Sequence, residues 1–398
     1  MRKFSPLFCD DKNRGGKLGR TDSAREQILN TYPLPSLSME QAQHKQFRLV
    51  DIICRHFPGA DFLTTGDLGL APGLNRPQVT QRVEQVIADF FSAEAAVLVQ
   101  GAGTGAIRCG LAALLNAGDS LLVHDAPLYP STAVTAEQMG LHLVRADFNQ
   151  SEQIRAAILQ HSPVAGLVQH TRQKIDDAYE LAEIISLLNA ASLPALVDDN
   201  YAAMKVEHIG CEWGAALSAF SSFKLFGPQG VGVVVGQQAA IESIRRNMYS
   251  GGSQVQGFQA LEVLRGLVFA PVMHAVQAQV SETLVIRLNQ GVIPQVKRAL
   301  IANAQSKVLL VEFYDEIAEQ VLHVAHKLGA LPYPVGAESK FDIPPLFYRL
   351  SGTFRQSDPS LEKRMIRINP NRSGAETVIR LLSQSCAQAV ACCNKRLK

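Results

Sequence analysis

A chain of 398 residues, 47% of them hydrophobic, has material for two or three domains with sizeable cores, which excludes a disordered or fibrous protein. The formal net charge is only +2 and both signs are mixed along the chain, so nothing points to nucleic acid or an anionic membrane as the main partner. The seven cysteines are odd in number and lack metal-ligand spacing, as expected of inert thiols in a reducing compartment. The first residues are polar through Arg20, and no apolar run reaches the roughly 18 residues of a membrane span. The expectation is a cytoplasmic protein.

In chain order, residues 1 to about 45 are polar, with turn formers at Gly15-Gly16 and Pro33-Leu34-Pro35. They read as an irregular arm, bounded at residue 50. Val79, Val83, Val86, Ile87 and Phe90 then fall at helical spacing. A short apolar strand, Ala96 to Val99, runs into Gly101-Ala102-Gly103-Thr104-Gly105, and a helix follows to about Leu115. Further strands are expected at Leu121–Val123, Val164–Val168, Ala195–Val197, Ala216–Phe220 and Val231–Val235, with an amphipathic helix from Ile175 to Leu188. Short apolar strands alternating with helices predict an α/β fold with a mostly parallel sheet. Beyond about residue 265 the pattern lengthens. It predicts a helical segment from Val308 to Leu328, a strand near Met365–Ile368, and a last helix from Ala375 to about Ala391. The expected division is an arm (1–50), a large domain (51–265) and a smaller α+β domain (266–398).

Three segments carry chemistry. Lys224 sits in Ser221-Ser222-Phe223-Lys224-Leu225-Phe226-Gly227-Pro228, an apolar run ending in a Gly/Pro turn. An amine among Phe223, Leu225 and Phe226 is poorly solvated, which lowers its pKa and suits it to a Schiff base. Gly101 to Gly105 has the setting of a phosphate cradle, a strand end followed by small residues and a helix N-terminus, with Thr104 as a hydroxyl donor. Gly101-x-Gly103-x-x-Ala106, with Asp125 after the next strand, also matches a dinucleotide fingerprint, so a nicotinamide-dependent dehydrogenase is the rival reading. The downstream residues favour pyridoxal phosphate. Asp198, at a strand end, can keep a pyridine nitrogen protonated, and Tyr201 can reach the ring oxygen. Ser221 and Ser222 can donate to the phosphate, and Tyr129 can stack on the ring.

In these segments the chain resembles the fold-type I pyridoxal-phosphate enzymes, over roughly Gly73 to Leu382. Ser222 to Gly232 is similar to the Schiff-base segment of the class V, desulfurase-like branch. Asp198 and Tyr201 resemble the aminotransferase pair, Gly103-Thr104-Gly105 the phosphate turn, and Tyr129 the stacking tyrosine of the cystathionine-lyase branch. The resemblance implies a pyridoxal-phosphate-dependent aminotransferase or β/γ-lyase acting on an amino acid. It implies that Lys224 holds the cofactor and serves as base, with Arg367 as the clamp for the substrate carboxylate and Arg372 the weaker candidate. A planar guanidinium suits that contact. Gly251-Gly252-Ser253-Gln254 resembles a loop that reaches a neighbouring subunit's cofactor, which implies a homodimer with shared sites. The chain departs from the desulfurases in having no cysteine between Gly336 and Arg355. A binding protein without turnover is the further alternative.

Overall fold

Of the expected arm, residues 1–30 lie outside the described residues, and its end is helical: α1 spans Met39–His56. The computed structural model describes residues 31–302, 308–336, 338–350 and 359–396. A capping box starts α1, with the Ser38 hydroxyl accepting from the Gln41 amide and the Gln41 side chain accepting from the Ser38 amide. Its buried residues, Ala42, Leu49, Ile52 and Ile53, are widely spaced among polar ones, which hides the helical period. Leu49, Ile52 and Ile53 pack with Val83, Val86 and Ile87 of α2 (Gln78–Phe90).

The large sheet has strands β1 (Ala95–Gln100), β2 (Ser120–His124), β3 (His142–Ala146), β4 (Ala165–Gln169), β5 (Ala195–Asp198), β6 (Leu217–Ser221) and β7 (Val231–Gly236). Their order is β1-β7-β6-β5-β4-β2-β3. Strands β2 to β6 pair in parallel, whereas β7 runs antiparallel to both β1 and β6. Burial on both faces explains why these strands read as continuous apolar runs rather than alternating ones. Helices α3 (Ala102–Leu114) and α7 (Gln238–Asn247) bury Ile107, Leu111, Ile241 and Ile244 on one face. On the other, α2 packs with α8 (Gly257–Asn289). The connections α4 (Pro130–Gln138), α5 (Ser151–His161) and α6 (Leu181–Ala190) complete the layers. The sequence pattern placed the last of these earlier, from Ile175. Asp177 prevents that start, because its carboxylate accepts from the Gln173 and Lys174 amides and holds residues 173–177 in a turn.

The second sheet is wholly antiparallel, in the order β10 (Leu346–Arg349), β11 (Met365–Asn369), β9 (Leu309–Phe313) and β8 (Val296–Ile301). Here the expected helix from Val308 is corrected. Residues 309–313 are β9, and only Ala318–Lys327 is helical, as α9. Val308-Leu-Leu-Val-Glu-Phe313 carries no period that separates a buried strand from a buried helix. With α10 (Ala375–Arg396), α9 closes a second core of Val311, Phe313, Val321, Ile366, Ile368 and Leu382.

Helix α8 belongs to both cores. Leu261 and Leu264 lie in the first, Leu284 and Leu288 in the second, and the helix runs unbroken through residue 265. It is long and apolar enough to cross a membrane, with a mean hydropathy of 1.2. Half of that stretch is buried inside the protein, as in a core helix. The whole is a mixed α/β fold with a large, mostly parallel sheet and a smaller C-terminal domain with its own sheet.

Candidate active site at the ends of β5 and β6

Strand β1 is followed by Gly101, whose φ of 97° is a left-handed conformation that glycine adopts freely, and the chain turns there into α3. The amides of Gly101 and Ala102 both donate to the Gly230 carbonyl, at 2.7 and 2.9 Å. The glycine turn is thereby tied to the turn that carries Lys224. That turn begins as β6 ends at Ser221. One 3₁₀ turn, Phe223–Leu225, follows, and Phe226 reverses the chain at a φ of 63°. The Ser222 amide donates to the Val231 carbonyl, and its hydroxyl lies 2.9 Å from the carbonyls of Pro228 and Val231. Ser222 thus braces the turn.

Strand β7 approaches α3 closely: a Cβ on Gly232 would lie 2.2 Å from the Ala102 carbonyl oxygen. Gly232→Ala is expected to destabilise the fold by about 1–3 kcal/mol through this overpacking. A thermal melt checks it, and an unchanged Tm would refute the close approach.

The Lys224 side chain is half-buried. Its ammonium donates to Asn200 Oδ1 at 3.1 Å and sits 4.3 Å from the centre of the Tyr201 ring. Burial, only partly offset by Asp198, depresses its pKa to about 8. Asn200 also accepts from the Ser221 amide at 3.0 Å and donates to Asp198 Oδ1 at 2.8 Å, so one amide joins Lys224, β6 and Asp198. A Cβ on Gly103 would come within 2.6 Å of Asn200 Oδ1, so glycine alone admits this bridge. Burial raises the pKa of the Asp198 carboxyl, against the pull of Asn200 and Lys224. Its neighbour Asp199 is turned away and buried, accepting from the Gly210 amide at 3.1 Å with His170 Nδ1 at 2.6 Å.

Tyr201 has a φ of 68°, an outlier for so bulky a residue and of the kind found at functional sites. Burial raises its phenol pKa well above the usual range, with Tyr129, Tyr348 and Glu338 adding and Arg367 opposing. Tyr129, at the start of α4, is half exposed. Arg367 on β11 lies opposite Tyr348 on β10. Its guanidinium covers the Tyr348 ring at 3.9 Å, and its Nε donates to the Arg349 carbonyl at 2.9 Å. Thr104 faces α4, its hydroxyl donating to Ser131 Oγ at 3.0 Å.

The structure therefore brings Gly103, Asp198, Tyr201, Ser221 and Lys224 together, with Tyr129 and Arg367 beside Tyr201. Gly105 lies one turn into α3, where a Cβ would be 2.1 Å from the Gln100 carbonyl oxygen. Gly251–Ser253 forms a 3₁₀ turn before α8. Asn200 is a member of the site that motif reasoning passed over, although it stands in the Asp198-Asp199-Asn200 triplet. Lys205, His274 and Glu338, described below, left no local signal at all.

The room suits the anionic aromatic cofactor that the sequence resemblance implies. Ser221 Oγ is buried without a hydrogen-bond partner among the described residues. The first turn of α3 offers amides that the helix itself cannot satisfy. The dinucleotide alternative is overturned by topology. That fingerprint requires β1 to be followed by a parallel neighbour, whereas β1 pairs with antiparallel β7 and β2 lies on the far side of β4. Among the described residues no cluster has the makings of a metal site.

Residues 74–264 match the family model for class V aminotransferases, and residues 282–382 match the model for the YhfS-like C-terminal domain. The YhfS protein of Escherichia coli is 66% identical over 359 residues, covering 90% of this chain and 99% of that one. The crystal structure of that protein, described as pyridoxal-5'-phosphate dependent, superimposes with a TM-score of 0.89 over the same share of both chains. A cysteine desulfurase of Yersinia pseudotuberculosis is 26% identical over 48% of this chain and 50% of its own. Cystathionine γ-lyase CalE6 of Micromonospora echinospora shares the fold, with a TM-score of 0.66 at 17% identity, covering 86% of this chain and 98% of its own.

Proposed function

The protein belongs to the YhfS family of fold-type I pyridoxal-phosphate enzymes, and from that premise we propose that it binds pyridoxal phosphate on Lys224 and acts on an amino acid, as an aminotransferase or a β/γ-lyase. The observation that carries this reading is the half-buried Lys224 amine, held by Asn200 against the Tyr201 ring and depressed to a pKa of about 8.

The roles follow from position. When bound, pyridoxal phosphate supplies an electron sink for the bond that breaks at the substrate Cα. Asp198 would hold the ring nitrogen, Tyr201 the ring oxygen, and Tyr129 a ring face. Gly103 and Thr104 would offer amides, and Ser221 a hydroxyl, to the phosphate, whereas the Gly105 amide already donates to the Gly101 carbonyl at 2.8 Å. Ser222 would act at one remove, by bracing the turn that aims Lys224. Arg367, flattened on Tyr348, would set the substrate carboxylate and so the Cα bond to be broken. Lys224 Nζ, once displaced by the substrate amine, would take the Cα proton. The absence of a cysteine from 336–355 argues against a desulfurase. Tyr249 and Phe258, both exposed and flanking Gly251–Ser253, support a homodimer.

Only the neutral amine attacks a carbonyl, so capture of the cofactor by the free protein should quicken as pH rises and level off just above pH 8. An ordinary lysine would keep gaining to well beyond pH 10. Stopped-flow absorbance measures the rate, and borohydride reduction with peptide mapping should find the pyridoxyl group on Lys224. A protein that never takes up the cofactor would defeat the proposal. Amino transfer that depends on a keto acid would select the aminotransferase, and keto-acid release without an acceptor the lyase. Cofactor bound but inert toward a broad amino-acid panel would mark a binding protein.

A further inference from the structure

Lys205 is a second lysine at this site, and the roles above leave it unused. It lies in the turn after Tyr201, its side chain only 10% exposed, with its ammonium 5.5 Å from the centre of the Tyr201 ring. The Lys224 ammonium is 4.3 Å from that same centre. Two cations facing one aromatic ring need compensation, and it comes from the other domain. Glu338, fully buried, forms an ion pair with Lys205 and accepts from Gln277 Nε2 on α8 at 2.6 Å and from Asn369 Nδ2 on β11 at 3.4 Å. Glu338 reaches them from a backbone with φ of 73°, a left-handed conformation unusual for glutamate. Arg372 braces the same segment, donating to the Glu338 carbonyl at 3.3 Å while its guanidinium covers the Phe226 ring at 4.4 Å. One turn before Gln277, His274 Nε2 lies 3.2 Å from the Lys224 carbonyl and its ring stacks on Phe226.

We propose that Lys205, clamped by Glu338, is a positioning residue that sets the proton affinity of Lys224 across the Tyr201 ring and couples it to the seating of the C-terminal domain. The charged and titratable groups around the two amines are Asp198 from β5, Tyr201 from the same turn, His274 from α8, Glu338 from the segment before β10 and Arg372 after β11. Burial, with Lys205 and Arg372 nearby, holds His274 well below the usual histidine range, so it stays neutral and adds no charge. Asp198 favours the charged form of Lys224, Lys205 opposes it, and Glu338 favours it more weakly than either acts. The pair is therefore asymmetric: its positive end acts more strongly on Lys224 than its negative end. Removing Lys205 takes away the opposing cation, while the Glu338 side chain stays held by Gln277 and Asn369.

The inference rests on Lys224 being the reactive amine, yet its test does not require the cofactor. In the full-length, cofactor-free protein, competitive labelling with acetic anhydride and peptide mapping reads the Lys224 amine directly as a function of pH. Lys205→Met should slow Lys224 labelling at neutral pH by roughly tenfold, the scale of effect for a nearby charge change in a buried site. Lys205→Arg should restore the wild-type profile, and adding Glu338→Gln to Lys205→Met should recover most of the loss. A merely structural role predicts no recovery in the double variant and no distinction between Met and Arg; either result overturns the proposal, as does an unmoved profile in Lys205→Met. If the shifts appear but no variant, nor the wild type, takes up pyridoxal phosphate, the electrostatic coupling stands and the cofactor assignment falls.

Discussion

Lys224→Ala is expected to fold, to develop no cofactor absorbance with pyridoxal phosphate, and to lose at least about 10³-fold in turnover, since one residue is asked to serve as attachment point and as base. Its effect on the free protein should be the reverse of a typical core truncation. In the folded state the amine's pKa drops from the ordinary 10.5 to about 8, so keeping it charged below pH 8 works against folding. Between pH 8 and 10.5 the unfolded chain holds more protons than the folded one, so wild-type stability should rise with pH across that window. The alanine variant should lack the rise and match or exceed the wild type near neutrality. Denaturant melts across pH, with absorbance spectra of the loaded protein, test both halves. Full turnover by the alanine variant would sink the assignment of Lys224.

Asp198→Asn should give the second-largest loss and a different signature. The substituted side chain still accepts from Asn200, so the bridge from Asp198 through Asn200 to Lys224 survives. What disappears is the negative charge at the end of β5. Cofactor should still attach and absorb, while turnover falls by about 10²–10³, the usual scale for removing one preorganised electrostatic partner. Equal losses of attachment and turnover would point instead to a collapsed pocket. Turnover near the wild-type level would remove Asp198 from the chemistry, leaving Asp199 as the carboxylate to examine. Asp199 starts from a poorer position, since its oxygens already serve Gly210 and His170.

What could be read in the sequence is what is written locally. Lys224, Asp198 and the glycine turn each lie where an apolar strand meets a turn, and the strand run and turn formers adjoin the reactive residue. Asn200 hid behind two carboxylates, and its bond to Lys224 spans 24 positions. Lys205 and Glu338 are 133 positions apart, and Glu338 meets Gln277 across 61. No window of sequence holds both partners, so only the packed domains bring them together. The same distinction explains the fold. The buried parallel strands declared themselves by continuous apolar runs, whereas α1 concealed its helical period behind polar residues, and β9 offered a run that suits either element. The start of α1 within the expected arm was hidden for a related reason, since the capping box at Ser38 and Gln41 was its available sign and the apolar residues behind it were sparse.

The position of β7 bears on how the molecule comes into being. Strand β1 is made early, yet its partner in the sheet is β7, the last strand of that sheet to be synthesised: Ala95 aligns with Gly236 and Gln100 with Val231. Closing that pairing encloses every strand and helix in between, so the entropic cost falls on a single late event. The same event joins Gly101 and Ala102 to Gly230 and seats the lysine turn against α3. The two turns that make up the reactive pocket are therefore born together. A nascent chain halted before β7 has β2 to β6 to pair in parallel, but lacks both the Gly230 carbonyl that ties down the glycine turn and the strand that joins β1 to the sheet.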